Sequence, residues 1–193
     1  ACMALKKKEC SVAIASGIQL SDGPLSGTRE DILSSGDDKL KVFEKNAKGT
    51  IWSEGVGTVL LKPLKAAVKD GDHIYAVIKG SAINNDGAAS GITAPNLDAQ
   101  TEVILAAWKA AGIHPENISY IEAHGTGTKI GDPIEIKGLT NAFRKYTKKK
   151  QFCGIGTVKS NIGHTVGASG LASLIKLCLC MQNKEVPPMI NFK

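Results

Sequence analysis

The sequence predicts an α/β fold, a sheet covered by helices. Three observations carry that expectation. From Ile74 onward, an apolar run short enough for a strand is followed by a helical pattern, three times over. Two of those runs end in corners rich in glycine, at Gly125–Gly131 and Gly163–Gly170, where a backbone can turn sharply and approach a ligand. Hydrophobic residues make up 42% and charged residues 22% of 193, so one substantial core can form beneath an ordinary polar surface.

Ala1-Cys-Met-Ala-Leu-Lys-Lys-Lys8 reads as the tail of an amphipathic helix, with no cap before it. Ser11 to Ile18 is an apolar run of strand length. Ser21 to Asp38, rich in Gly, Ser and Asp, is expected to be a loop or a loosely helical excursion. Gly55 to Leu61 predicts another strand, and Pro63 to Val68 a short helix or turn. Asp70-Gly-Asp72 closes this first part of the chain, and Ile74 to Ile83 predicts a strand. Asn84-Asn-Asp-Gly87 is turn chemistry. Apolar residues recur at helical spacing from Ala99 to Ala111, with Gly112 as the stop.

The two corner units follow. Ile118, Tyr120 and Ile121 predict a short buried strand with His124 at its end, and a helix is expected from Ile134. Phe152 to Val158 predicts a strand, and Lys159-Ser-Asn-Ile-Gly-His164 the turn beyond it. Gly167-Ala-Ser-Gly170 then opens an apolar helix reaching about Met181.

A net charge of +6 raises the question of nucleic acid. The cations gather at Lys6–Lys8 and Arg144–Lys150 without interleaved aromatics, and the second run falls at a helix C-terminus, where cations suit the dipole. A solvated helix end explains them, so no nucleic-acid partner is expected. Cysteines 2, 10, 153, 178 and 180 have neither a CxxC pair nor zinc-ligand spacing, and no metal is expected. Cys178 and Cys180 lie in an apolar run and are expected to be reduced core thiols of a cytoplasmic protein. That run, Val166 to Met181, holds Lys176 and several small residues and predicts a buried helix rather than a membrane span.

A histidine at a strand end is most often a hydrogen-bonded structural residue. Two in matched settings, His124 and His164, favour one shared site. Gly125-x-Gly127-x-x-x-Gly131 after a strand also fits a dinucleotide-binding corner. Against that reading, Lys159 stands where an acidic residue is needed at the end of the next strand.

Longer motifs sharpen this picture. Glu122-Ala-His-Gly-Thr-Gly-Thr128, Gly131-Asp-Pro-Ile-Glu135 and Lys159-Ser-Asn-Ile-Gly-His164 resemble the β-ketoacyl synthase domains of bacterial modular polyketide synthases. The resemblance extends through Glu54-Gly-Val-Gly57, Leu60-Leu-Lys-Pro-Leu64, Ile83-Asn-Asn-Asp-Gly87 and Thr93-Ala-Pro-Asn96, in the family's order. It implies a thiolase-like, layered αβαβα fold of two halves, with residues 1–72 ending the first and 73–193 forming an incomplete second. It further implies a homodimer, and a substrate carried on the phosphopantetheine of an acyl carrier protein, with no cofactor bound by this chain.

The resemblance implies decarboxylative Claisen condensation of an acyl chain with a malonyl-type thioester. By it, His124 and His164 donate to the enolate oxygen, Lys159 orients the second histidine, and Thr126 and Thr128 line the phosphopantetheine channel. The family's nucleophile lies in a Thr-Ala-Cys-Ser-Ser turn at a helix start, and that motif is absent here. Cys2 and Cys10 have different surroundings. The chain therefore resembles an internal portion of the domain, expected to be inactive alone and completed by the remaining parts of the synthase. A glutamate that pairs with the lysine in fatty-acid relatives is matched by Ser173, which leaves the lysine's partner open. A non-elongating, scaffold or gatekeeping relative stays as an alternative.

Overall fold

A computed structural model describes residues 1–20, 33–89, 91 and 94–193. The expectation for Ser21 to Asp38 therefore lies largely outside the described residues, as does Thr93. The described residues fall into two compact units. One draws on Ala1–Ser26, Trp52–Val77 and His164–Pro187, the other on Gly27–Ile51, Ile78–Gly163 and Pro188–Lys193.

The first unit begins with a short helix, α1 (Cys2–Lys6), and is built on strands β1 (Ala13–Gln19) and β2 (Gly55–Leu61). They pair antiparallel, with Ala13 opposite Leu61 and Gln19 opposite Gly55. Side chains alternate between a half-buried and an exposed face along both strands, the period-2 signature of a ladder. The centre of the half-buried face, where Gly17 pairs with Gly57, is glycine for a physical reason. A Cβ on Gly17 would lie 2.4 Å from the Gly167 carbonyl oxygen, and one on Gly57 would lie 3.0 Å from Leu171 Cβ. The chain around Gly167 and the helix α6 (Ser169–Asn183) can therefore close directly onto the strands, which seats His164 just ahead of them.

Helix α2 (Leu64–Asp70) follows Pro63, which fits a helix start because it lacks an N–H. It ends at Gly71 with φ +72°, and Lys62 bridges Asp70 and Asp72 across that end. Helix α6 is half-buried rather than a core helix. Leu179 and Met181 are about half exposed, and Cys178 and Cys180 are free and of intermediate burial. The expectation of core thiols is corrected here: the apolar run is wider than the face that two strands can cover.

The second unit carries β3 (Tyr120–Glu122) and β4 (Gly154–Gly156), paired parallel with Ile121 opposite Ile155. Helix α3 (Leu97–Ala111) starts where Asn96 Oδ1 accepts from the amides of Asp98 and Ala99. It ends at Gly112 with φ +63°. Helix α4 (Gly131–Arg144) packs against it, with the Trp108 and Phe143 rings 4.7 Å apart. It begins three residues before the expected Ile134, taking Asp132 and Pro133 into its first turn, where a proline costs no hydrogen bond. The expected turn at Lys159–His164 contains a four-residue helix, α5 (Lys159–Ile162).

One predicted strand does not form. Residues 74–83 have no ladder among the described residues, and Tyr75, Val77 and Ile83 are exposed. An apolar, β-branched run shows that a segment suits a sheet, but a strand also needs a neighbour's N–H and C=O groups.

Candidate active site

In the second unit, β3 delivers the chain to His124, and the following loop doubles back across two glycines. Gly125 has φ +44°, and a Cβ there would lie 2.8 Å from Val42 Cγ1. Gly127 has φ +73°, and a Cβ there would lie 2.7 Å from Leu40 Cδ1. Val42 and Leu40 are buried at 1% and 3% exposure, so the loop rests on a rigid floor. Only glycine meets both demands, backbone and space.

Two carboxylates from the first turns of α4 hold the loop from the other side. Glu135 Oε1 accepts from the His124 amide at 2.7 Å, and Oε2 from the Gly125 amide at 2.8 Å. Buried Asp132 accepts from the Gly127 amide at 3.0 Å and the Phe43 amide at 2.8 Å. Burial pushes the Asp132 pKa up, while those amides and that of Thr126 act to lower it. The hydroxyls of Thr126 and Thr128 lie 3.1 Å apart on the same loop.

This arrangement excludes a dinucleotide corner. A pyrophosphate would need the loop amides as donors. Here the amides of His124, Gly125 and Gly127 already donate to carboxylates, which would repel a phosphate.

Lys159 is 2% exposed, at the start of α5. Burial lowers its pKa, while the charges of Glu135 and Glu122 act to retain the proton. These two glutamates answer the question left open by Ser173: the lysine's counter-charges come from β3 and α4. Glu122 is itself held by the Tyr120 hydroxyl at 3.0 Å and by the Val158 amide. His124 reaches solvent on one side, but the protein packed around it lowers its pKa to about 4, with the Lys159 charge acting in the same direction. Its imidazole is neutral near pH 7. A neutral imidazole beside a buried cation can donate a hydrogen bond to an oxyanion without giving up a full proton.

In the first unit, His164 lies against Trp52, with ring centroids 5.1 Å apart and planes tilted by 32°. The Ser53 amide donates to the His164 carbonyl at 3.1 Å. Its Nδ1 accepts from the Val166 amide at 3.0 Å and lies 2.9 Å from Ser169 Oγ. Val166 has φ +38°, a region that β-branched residues rarely enter. That strained turn is what aims its amide back at the imidazole.

With this geometry in hand, similarity to known proteins is decisive. The description "Beta-ketoacyl synthase, N-terminal domain" matches residues 1–67, and "Beta-ketoacyl synthase, C-terminal domain" matches residues 75–193. The chain belongs to the β-ketoacyl synthase family. Among curated relatives of this synthase family, it is 49% identical over 189 residues to polyketide synthase PksM of Bacillus subtilis, covering 97% of this chain and 4% of that protein. It is 44% identical over 194 residues to polyketide synthase ThaG of Burkholderia thailandensis, covering 98% of this chain and 3% of that protein. Among solved structures, the ketosynthase from module 6 of the bacillaene synthase of Bacillus subtilis matches all of this chain and 35% of its own, with TM-score 0.96 and 47% identity. The oxazolomycin ketosynthase domain OzmH KS7 of Streptomyces albus gives TM-score 0.94 at 39% identity, over 34% of that chain. The fold is thus α/β of the thiolase-like ketosynthase class, and this chain spans about a third of those solved domains.

Of the residues singled out in the sequence, the second unit gathers His124, Lys159, Thr126 and Thr128 around one loop and its neighbouring helix. His164 stands in the first unit with Trp52 and Ser169. Sequence reasoning missed the contacts that Glu135, Asp132, Glu122 and Ser169 make around the site. A signal was available for two of them: acidic residues at i and i+3, opening a helix right after a glycine corner, are suited to capture loop amides. A cleft of about 240 Å³ elsewhere in the second unit, lined by Ile136, Phe143, Phe152 and Ile155, contains none of these residues. No helix among the described residues is long and apolar enough to cross a membrane.

Proposed function

We propose that this chain carries the decarboxylation and condensation machinery of a polyketide ketosynthase. A malonyl-type thioester on the phosphopantetheine of an acyl carrier protein loses carbon dioxide, and the electron pair of the broken C–C bond becomes an enolate. The enolate carbon attacks the carbonyl of an acyl-cysteine thioester, forming the new C–C bond as the cysteine thiolate leaves. His124 and His164 donate to the enolate oxygen. Lys159 biases the charge around them, and Thr126 and Thr128 line the approach of the phosphopantetheine arm.

The observation that carries this reading is His124, an imidazole kept neutral beside a buried lysine on a loop pinned by Glu135 and Asp132. A donor fixed before charge develops costs no reorganisation in the transition state. The acyl chain rides on a cysteine other than the five here. Cys153, for one, has its thiol pKa pushed up by burial, the opposite of an activated nucleophile. The carrier protein and a second copy of the domain are its partners in this reading.

His124→Ala in the intact synthase tests it. Condensation, read as product formation, is expected to fall at least a hundredfold, the scale of losing an oxyanion donor. Acyl loading, read by protein mass, is expected to continue. Extension at near wild-type rate would overturn the assignment.

A further inference from the structure

We propose that Ser169 is a positioning residue that, together with the Val166 amide, holds His164 in one tautomer and one orientation; this rests on the donor role given to His164 above. The Val166 amide can only donate. Its 3.0 Å contact with Nδ1 means that Nδ1 accepts, so the neutral ring carries its proton on Nε2. The Ser169 hydroxyl, 2.9 Å from the same nitrogen, then has one productive orientation, with its hydrogen turned toward Nδ1. Its lone pairs are left to the Thr165 hydroxyl, 3.4 Å away.

Thr165 and Ser169 are 3% and 6% exposed, so water does not compete for these contacts. The relay therefore runs in one direction, from Thr165 through Ser169 to His164. Trp52, on the ring at 5.1 Å, limits the swing of the imidazole.

A serine at a helix start is ordinarily a cap. Here the N-cap position of α6 is Ala168, with no side-chain cap bond, and Ser169 is already inside the helix. Its hydroxyl serves the histidine. The consequence is that Nε2–H is the only ring donor that His164 can offer, the form an enolate oxygen requires.

The test uses the intact synthase containing this chain, as wild type, S169A and S169T, with ¹⁵N-labelled histidine. Wild type and S169T are expected to show one His164 form, with the proton on Nε2. S169A is expected to show an added Nδ1–H population, and condensation slowed about three- to tenfold, the scale of one neutral hydrogen bond, with loading and KM for the extender thioester unchanged. A single wild-type ring signature in S169A would overturn the proposal, whether or not the rate changed. Failure of S169T to retain that signature would do the same. H164A separates the two claims: if it condenses at the wild-type rate, the donor role fails, while the ring signature of S169A still decides whether Ser169 holds the ring.

Discussion

Glu135→Gln perturbs the group that holds the His124 loop while leaving in place every residue assigned to chemistry. In the wild type, the two carboxylate oxygens take the amides of His124 and Gly125 at 2.7 and 2.8 Å. Glutamine has nearly the same shape but only one acceptor oxygen. It must turn its NH₂ toward one of the amides, so one bond is lost and the other is no longer charge-assisted. A hydrogen bond to a charged group contributes about 1.5–3 kcal/mol, and one between neutral groups about 0.5–1.5. Glu135 is half-buried, so the lower ends apply and the expected cost is about 2.5 kcal/mol. At 1.4 kcal/mol per factor of ten, hydrogen exchange at the amides of residues 124 and 125 should accelerate about sixtyfold. The substitution also removes one of the two carboxylates that help Lys159 keep its proton, so the Lys159 pKa should fall further. Wild-type protection at both amides would refute the reasoning, because the loop would then be held by its glycine packing alone.

Two further predictions concern the charged groups beside that loop. The His124 pKa lies at about 4 against an ordinary 6.5, so between those values the unfolded chain binds more protons than the folded one. The His124 contribution to stability should therefore be level above pH 6.5 and decline as pH falls from 6.5 toward 4, and its ring signals should not titrate between pH 8 and 5; a midpoint near 6.5 would show that packing does not suppress its charge. Lys159→Ala should impair turnover far more than Lys150→Ala, since Lys159 is 2% exposed between Glu122 and Glu135 whereas Lys150 is exposed. Equal, small effects in a steady-state assay would make Lys159 a structural lysine only.

The sequence by itself determined the local features of this protein. The short run Gly55–Leu61 read as a strand to the residue, and Gly112 marked the end of α3, because strand length and helix-stop chemistry are written in neighbouring residues. Motif identity placed His124, His164 and Lys159 in their family, since those residue types follow one another in an order that packing alone does not demand. Local signals failed where a distant partner was required. Residues 74–83 have the composition of a strand, yet their ladder depends on a neighbour that composition cannot supply. The counter-charges of Lys159 were equally hidden, because Glu122 and Glu135 reach it from separate elements, 37 and 24 residues earlier in the chain. Only tertiary structure decided that the glycines at 125 and 127 press on Val42 and Leu40, and that a strained Val166 turns its amide toward His164. Bond direction, burial and charge depend on distances of a few ångströms between segments far apart in sequence, and those distances exist only once the chain has closed on itself.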